Sequence, residues 1–104
     1  MISQLDIVQV ARKIGEVAHA QKVILFGSYA NGHANKSSDV DLLVVAESSL
    51  PRHKRSRELY RCICPLRFPV DIVVYTPEEL RRSNTTQVSF VSQALLEGQT
   101  VYVA

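Results

Sequence analysis

The sequence predicts an α/β (α+β) fold in which a small mixed β-sheet is flanked by helices. Three observations carry that prediction. Three apolar runs, Lys22–Phe26, Val40–Val45 and Val70–Tyr75, have the length and β-branched content of buried strands. The segments around them show helical spacing or helix caps. The composition, 46% hydrophobic and 21% charged, suits a chain that forms a core rather than a disordered or collagen-like one.

Each element follows in order. Leu5, Val8, Ala11/Arg12, Ile14 and Val17/Ala18 recur at helical spacing, with Ser3 placed to cap the helix they predict. The first strand, KVILF, closes on Gly27-Ser28; the second, VDLLVV, follows a polar segment from His33 to Asp39. Pro51 opens a helix-forming stretch with Leu59, Cys62 and Ile63 on one side, and Pro65 ends it. After the third strand, Thr76-Pro77-Glu78-Glu79 has the form of a capping box and starts another helix. Val88, Val91 and Ala94/Leu95 mark a final helix from Thr86 to Glu97, Gly98 is placed to cap it, and Val101–Val103 reads as an edge strand.

The 104 residues suit one domain, without room for a second, substrate-gripping one. The longest fully apolar stretch, Leu42–Ala46, is far too short for a membrane span or a secretory signal, so a cytoplasmic protein is expected. A net charge of +2 is too small for general nucleic-acid binding. The charge is uneven, however: Arg52, Lys54, Arg55, Arg57 and Arg61 place five of the 12 basic residues in one block, read first as a solvated helix face. Cys62 and Cys64 lack the second ligand pair of a zinc site and read as reduced thiols. The three histidines, His19, His33 and His53, show no ligand spacing.

The chemistry concentrates in Gly27-Ser28-Tyr29-Ala30-Asn31-Gly32 and Ser38-Asp39-Val40-Asp41-Leu42. Residues two apart on a strand share a face, so Asp39 and Asp41 present neighbouring carboxylates. Their repulsion calls for a wet strand end or a cation, and an all-oxygen donor set favours magnesium or manganese. Asp71 repeats the pattern in the third strand; if that strand pairs beside the second, three carboxylates converge. Such a trio can hold two divalent cations for displacement at phosphorus. The Gly27-Ser28 turn supplies the other half of the site, since glycine admits phosphate to the backbone and Ser28 opens a helix offering free amides.

At these residues the sequence resembles the polymerase-β-type nucleotidyltransferases, and most closely the minimal nucleotidyltransferase (MNT) group. FGSYANG, SDVDLLVV, VDIVVY and the ending EGQTVYV carry the likeness, which makes residues 1–104 a single minimal nucleotidyltransferase domain. The resemblance implies that Gly27 and Ser28 bind the phosphates of ATP, that Asp39 and Asp41 hold Mg2+ (two ions), and that Asp71 shares one metal and helps deprotonate the acceptor. It further implies transfer of AMP to a tyrosine of a HEPN-domain ribonuclease toxin in a hetero-oligomer, the antitoxin activity of a type VII-like toxin–antitoxin module. Asn31 stands where the family commonly has Arg, removing a charge-assisted donor. Two alternatives remain open: an antitoxin that neutralises by stoichiometric binding, and a transferase acting on a small molecule or a nucleic-acid end. With so little chain beyond the half-site, the acceptor is expected to bring its own binding surface, with Arg52–Arg61 the place to meet it.

Overall fold

A computed structural model describes residues 2–65, 68–83 and 89–104. Its elements are α1 (Gln4–Ala18), β1 (Lys22–Phe26), α2 (Ser28–Asn31), β2 (Val40–Val45), a 3-10 turn (Arg52–Lys54), α3 (Arg57–Cys62), β3 (Val70–Tyr75), α4 (Pro77–Ser83), α5 (Ser89–Glu97) and β4 (Gln99–Val103). The four strands form one mixed sheet in the order β3-β2-β1-β4. β1 is antiparallel to both of its neighbours, whereas β2 and β3 run parallel, joined by a crossover through the 3-10 turn and α3.

Alternation along the strands divides the core into two layers. Val23, Leu25, Val40, Leu42, Val44, Val70, Ile72 and Val74 pack with Ile7, Ala11 and Ile14 of α1 and Leu59 of α3. On the opposite face Ile24, Leu43, Val45 and Tyr75 pack with Leu80 of α4 and Val91 and Ala94 of α5. Both faces of β2 are therefore covered, which is why its sequence reads as an apolar run rather than an alternation.

The first three strands coincide with the apolar runs that predict them. Ser3 caps α1 by accepting a hydrogen bond from the Asp6 amide (3.1 Å). The capping box is reciprocal: Thr76 Oγ1 accepts from the Glu79 amide at 3.2 Å, and Glu79 Oε1 accepts from the Thr76 amide at 2.9 Å. Val101–Val103 lies in β4 at the sheet edge, as expected. Of the final helix, Ser89–Glu97 is described, while Thr86–Val88 lie outside the described residues.

Three details differ from expectation. The inward face of α1 is Ile7, Ala11, Ile14 and Gly15, while Leu5 and Val17 are 66% and 43% exposed. The close approach of β4 rotates the helix: the ring of Tyr102 occupies the space where a Gly15 Cβ would stand. The helix expected from Pro51 is broken in two, because Arg55 turns inward to donate to the carbonyls of Leu50 (2.8 Å) and Val74 (3.2 Å) and to Glu79 (2.6 Å). Gly98 does cap α5, its amide donating to the Ala94 carbonyl at 3.0 Å, but without a left-handed conformation. It is glycine because a Cβ would strike Ile24 and the carbonyls of Ala94 and Leu25.

Glu79 thus joins the start of α4 to the crossover, accepting from Arg55 and from Arg52 (3.3 Å). The Arg55 guanidinium, first among several causes, draws its carboxyl down to about 2. A carboxyl held below its usual value of 4.5 contributes stability that is complete above that pH and lost as pH falls toward 2. Glu79→Gln should cost about 1–2 kcal/mol at pH 7 and flatten the fall of Tm between pH 4.5 and 2, as followed by circular dichroism.

Candidate active site

The site is assembled at one end of β1, β2 and β3. In the antiparallel pair Phe26 stands opposite Asp41, and in the parallel pair Asp41 stands opposite Asp71. The chain leaves β1 directly after Phe26 through Gly27, so the turn begins beside Asp41. Asp41 and Asp71 share the sheet face of Leu43 and Val73, and Asp39 immediately precedes β2.

Gly27 has φ +74° and ψ −154°, a conformation open in practice only to glycine. A Cβ there would collide with Oδ2 of Asp41. Glycine therefore serves both the turn and the close approach of a carboxylate to its backbone. The Gly27 carbonyl accepts from the Ala30 amide (3.0 Å) and the Asn31 amide (3.2 Å), closing α2 as a single turn. The amides of Ser28 and Tyr29, in its first turn, have no intrahelical acceptor and can meet an anion.

Two contacts hold this turn in place that sequence spacing did not disclose. Gln99 Nε2 donates to the Ala30 carbonyl at 3.0 Å across 69 residues of sequence. Tyr29 Oη accepts from the Ile2 amide at 3.5 Å, tying α2 to the start of α1. Asn31 turns its Oδ1 to the His33 amide (3.1 Å), so its side chain closes the local turn. Ser38 Oγ likewise accepts from the Asn35 amide (2.9 Å) and shapes the loop that delivers Asp39.

The electrostatics are those of crowded acids. The Asp41 carboxyl is pushed up to about 6, mainly by burial, then by the charges of Asp71 and Asp39, and it shares a hydrogen bond with Asp71. Asp39 and Asp71 are exposed while Asp41 is half-buried. The expected convergence of three carboxylates is closest between Asp41 and Asp71, with Asp39 acting on Asp41 through space. Among the described residues no three His, Cys, Asp or Glu side chains are arranged so that they could hold a metal ion together, so the expected trio is not assembled here as a metal site. The chemistry of the donors nonetheless suits a hard divalent cation: all are carboxylate oxygens, and a cation held by them would offset the charges of Asp71 and Asp39 that, after burial, raise the Asp41 pKa.

Of the basic block, Arg52 and Arg55 are engaged by Glu79, and the Arg52 guanidinium also lies 4.3 Å from the centre of the Tyr75 ring. Lys54, Arg57 and Arg61 are exposed. The hydroxyl of Tyr60 accepts from the Ile72 amide (2.9 Å), so this ring serves packing. No helix among the described residues is long and apolar enough to cross a membrane.

A mixed sheet with a glycine–serine turn facing carboxylates on two parallel strands defines the class of proteins that carry out chemistry at nucleotide phosphates. The sequence matches the model of the nucleotidyltransferase domain family over residues 7–87, and the chain belongs to that family. A Methanocaldococcus jannaschii protein named "Putative protein adenylyltransferase MJ1305" is 51% identical over 41 residues, which cover 36% of this chain and 28% of that protein. The chain therefore matches well under two thirds of that relative. A solved structure described as the crystal structure of a toxin–antitoxin with AMP-PNP superposes with a TM-score of 0.63 at 25% identity, covering 93% of this chain and 73% of that one.

Two outcomes test the site. Because the Asp41 pKa lies above its ordinary 3.8, the folded state is penalised once the group ionises, and the penalty fades as pH falls from about 6 to 4. Asp41→Asn should accordingly raise Tm by about 4 °C or more at pH 8, with the gain vanishing near pH 4. MgCl2 should raise the Tm of the unmodified protein at pH 8 and leave Asp41→Asn unmoved. Gly27→Ala, strained by about 1–3 kcal/mol at φ +74° and displacing Asp41, should lower Tm and abolish the response to Mg2+.

Proposed function

We propose that this protein is a Mg2+-dependent adenylyltransferase that moves AMP from ATP to a tyrosine hydroxyl of a HEPN ribonuclease toxin and acts thereby as its antitoxin, with residues 1–104 forming one minimal nucleotidyltransferase domain of the MNT group. One observation carries the reading: the in-register pairing of Asp41 with Asp71 opposite the Gly27-Ser28 turn. The adenylyltransferase name of the M. jannaschii relative and the toxin–antitoxin complex with AMP-PNP support it.

In this mechanism Gly27 and the amides opening α2 receive the β- and γ-phosphates, with the Ser28 hydroxyl adding a donor. Asp39, Asp41 and Asp71 would hold the magnesium, which supplies positive charge to the phosphates and to the attacking and leaving oxygens. Asp71, exposed at the edge strand, takes the proton of the acceptor hydroxyl. The acceptor oxygen bonds to the α-phosphorus, the α–β bridging P–O bond breaks, and pyrophosphate leaves with that electron pair. Asp41, with its pKa raised to about 6 when no cation is bound, takes a proton in competition with the metal below that pH, so metal-supported transfer should rise between pH 5 and 7.

The stoichiometric reading has one observation in its favour. Asn31 is committed to the His33 amide and does not replace the guanidinium common at that position. The two readings part on amounts. With α-32P-labelled ATP and Mg2+, an enzyme at one hundredth the concentration of its co-purified partner should label it, and Asp41→Ala or Asp71→Ala should lower the rate by about 100-fold or more. Neutralisation that needs a full equivalent, persists without ATP and survives both substitutions would establish stoichiometric binding instead.

A further inference from the structure

Along the outer edge of β3, from the residue after Asp71 onward, lies an open cavity of about 450 Å³ lined by Arg52, His53, Ser56, Ile72, Val73 and Val74. Val73 is two residues beyond Asp71 on the same face of the strand, an advance of about 6.6 Å. We propose that this cavity is the acceptor groove: it seats a peptide segment of the partner protein with acidic side chains flanking the hydroxyl that is adenylylated. The proposal rests on the adenylyl-transfer reading and supplies what that reading lacks, a place on this chain for the acceptor.

Position, charge and hydrogen bonding converge on that occupant. The groove's lining on β3 starts at Ile72, the residue after Asp71, so a segment lying in it can extend along the strand toward the carboxylates. The buried Ile72 and Val74 and the half-buried Val73 give it an apolar side, and the exposed Arg52 and His53 a polar one. Glu79 is one carboxylate facing two guanidiniums, Arg52 and Arg55, so the cluster keeps about one unit of positive charge before His53 and the exposed Lys54 and Arg57 are added. Glu47 and Glu58 are the acids on the same crossover, against Arg52, Lys54, Arg55, Arg57 and Arg61. On the crossover side, away from the carboxylates, the field therefore favours anionic side chains.

Simple strand addition to β3 is blocked. The Ile72 amide is taken by Tyr60 Oη and the Val74 carbonyl by Arg55 Nη1, so two of the edge groups that a new strand would pair with are already satisfied. The partner must be gripped through its side chains, which gives the groove selectivity for charge. Ser56 is suited to a steric probe: it occupies the cap position of α3 with no side-chain capping bond to lose.

The test uses two fluorescent synthetic peptides with a central tyrosine, one flanked by Asp and Glu and the other by Lys, and a single-stranded RNA decamer of mixed sequence. Binding is read by anisotropy without nucleotide, and transfer by label from α-32P ATP with Mg2+. The acidic peptide should bind at least about tenfold more tightly than the basic one, and Ser56→Trp and His53→Glu should each weaken it by about tenfold. In transfer, the two substitutions should raise KM for the acidic peptide and leave kcat within about twofold. Arg12→Gln, on the exposed face of α1, controls for net charge, and circular dichroism confirms that each variant is folded. Equal binding of both peptides, indifference to Ser56→Trp and His53→Glu, or RNA displacing the acidic peptide from the same residues would overturn the groove as an acceptor site. Groove-dependent binding with no label transferred would instead overturn adenylyl transfer and leave the docking surface standing.

Discussion

The register between β2 and β3 is the constraint on which the rest of the molecule depends. A strand alternates its side chains with a period of two, so a slip of one residue would exchange faces for a whole strand. In the observed register Asp41 meets Asp71, and Leu43 and Val45 continue the same face against Val73 and Tyr75. One pairing thus decides both where the charge gathers and which residues fill the core under α4 and α5. The acids are tolerated because they lie at the end of the strands, where Asp39 and Asp71 reach solvent while Leu42, Leu43 and Val44 are fully buried.

The crossover that makes this parallel pairing possible is itself fixed by polar contacts. Arg55 and Glu79 join the 3-10 turn, the outer edge of β3 and the start of α4, and Arg52 closes the group against the Tyr75 ring. These residues look like ordinary surface charges until the strands are paired, after which they secure the edge of the sheet. On the other side of the site the same task falls to β4, where Gln99 grips α2 and Gly98 lets the chain pass close over Ile24 and Leu25.

What the sequence disclosed and what it withheld separate along physical lines. KVILF, VDLLVV and VDIVVY declare themselves because burial on both faces leaves no polar alternation, and Thr76 through Glu79 because a capping box is a short-range device. The proximity of Asp41 to Asp71 was conditional on a pairing that only the fold supplies. Gln99, Arg55 and Glu79 were illegible as positioning residues, since their partners lie 69, 19 and 24 residues away. The helical phase of α1 was misread for a related reason: Leu5 and Val17 fit the periodicity, but the Tyr102 ring against Gly15 sets the actual inward face. Likewise, the basic block appeared uniform in sequence, yet the fold pairs Arg52 and Arg55 with Glu79 and leaves Lys54, Arg57 and Arg61 exposed.

The position of β4 has a consequence for the making of the molecule. β1 lies inside the sheet, flanked by a strand that follows it closely and by one that follows only after α5. Until Gln99–Val103 docks, β1 presents an open row of amides and carbonyls, and the turn after it lacks its distant anchor. The Gln99–Ala30 contact closes a span of 69 residues, so the Gly27-Ser28 turn gains this anchor only when the two ends of the chain meet. The central strand and the turn that follows it are therefore completed together, by β4.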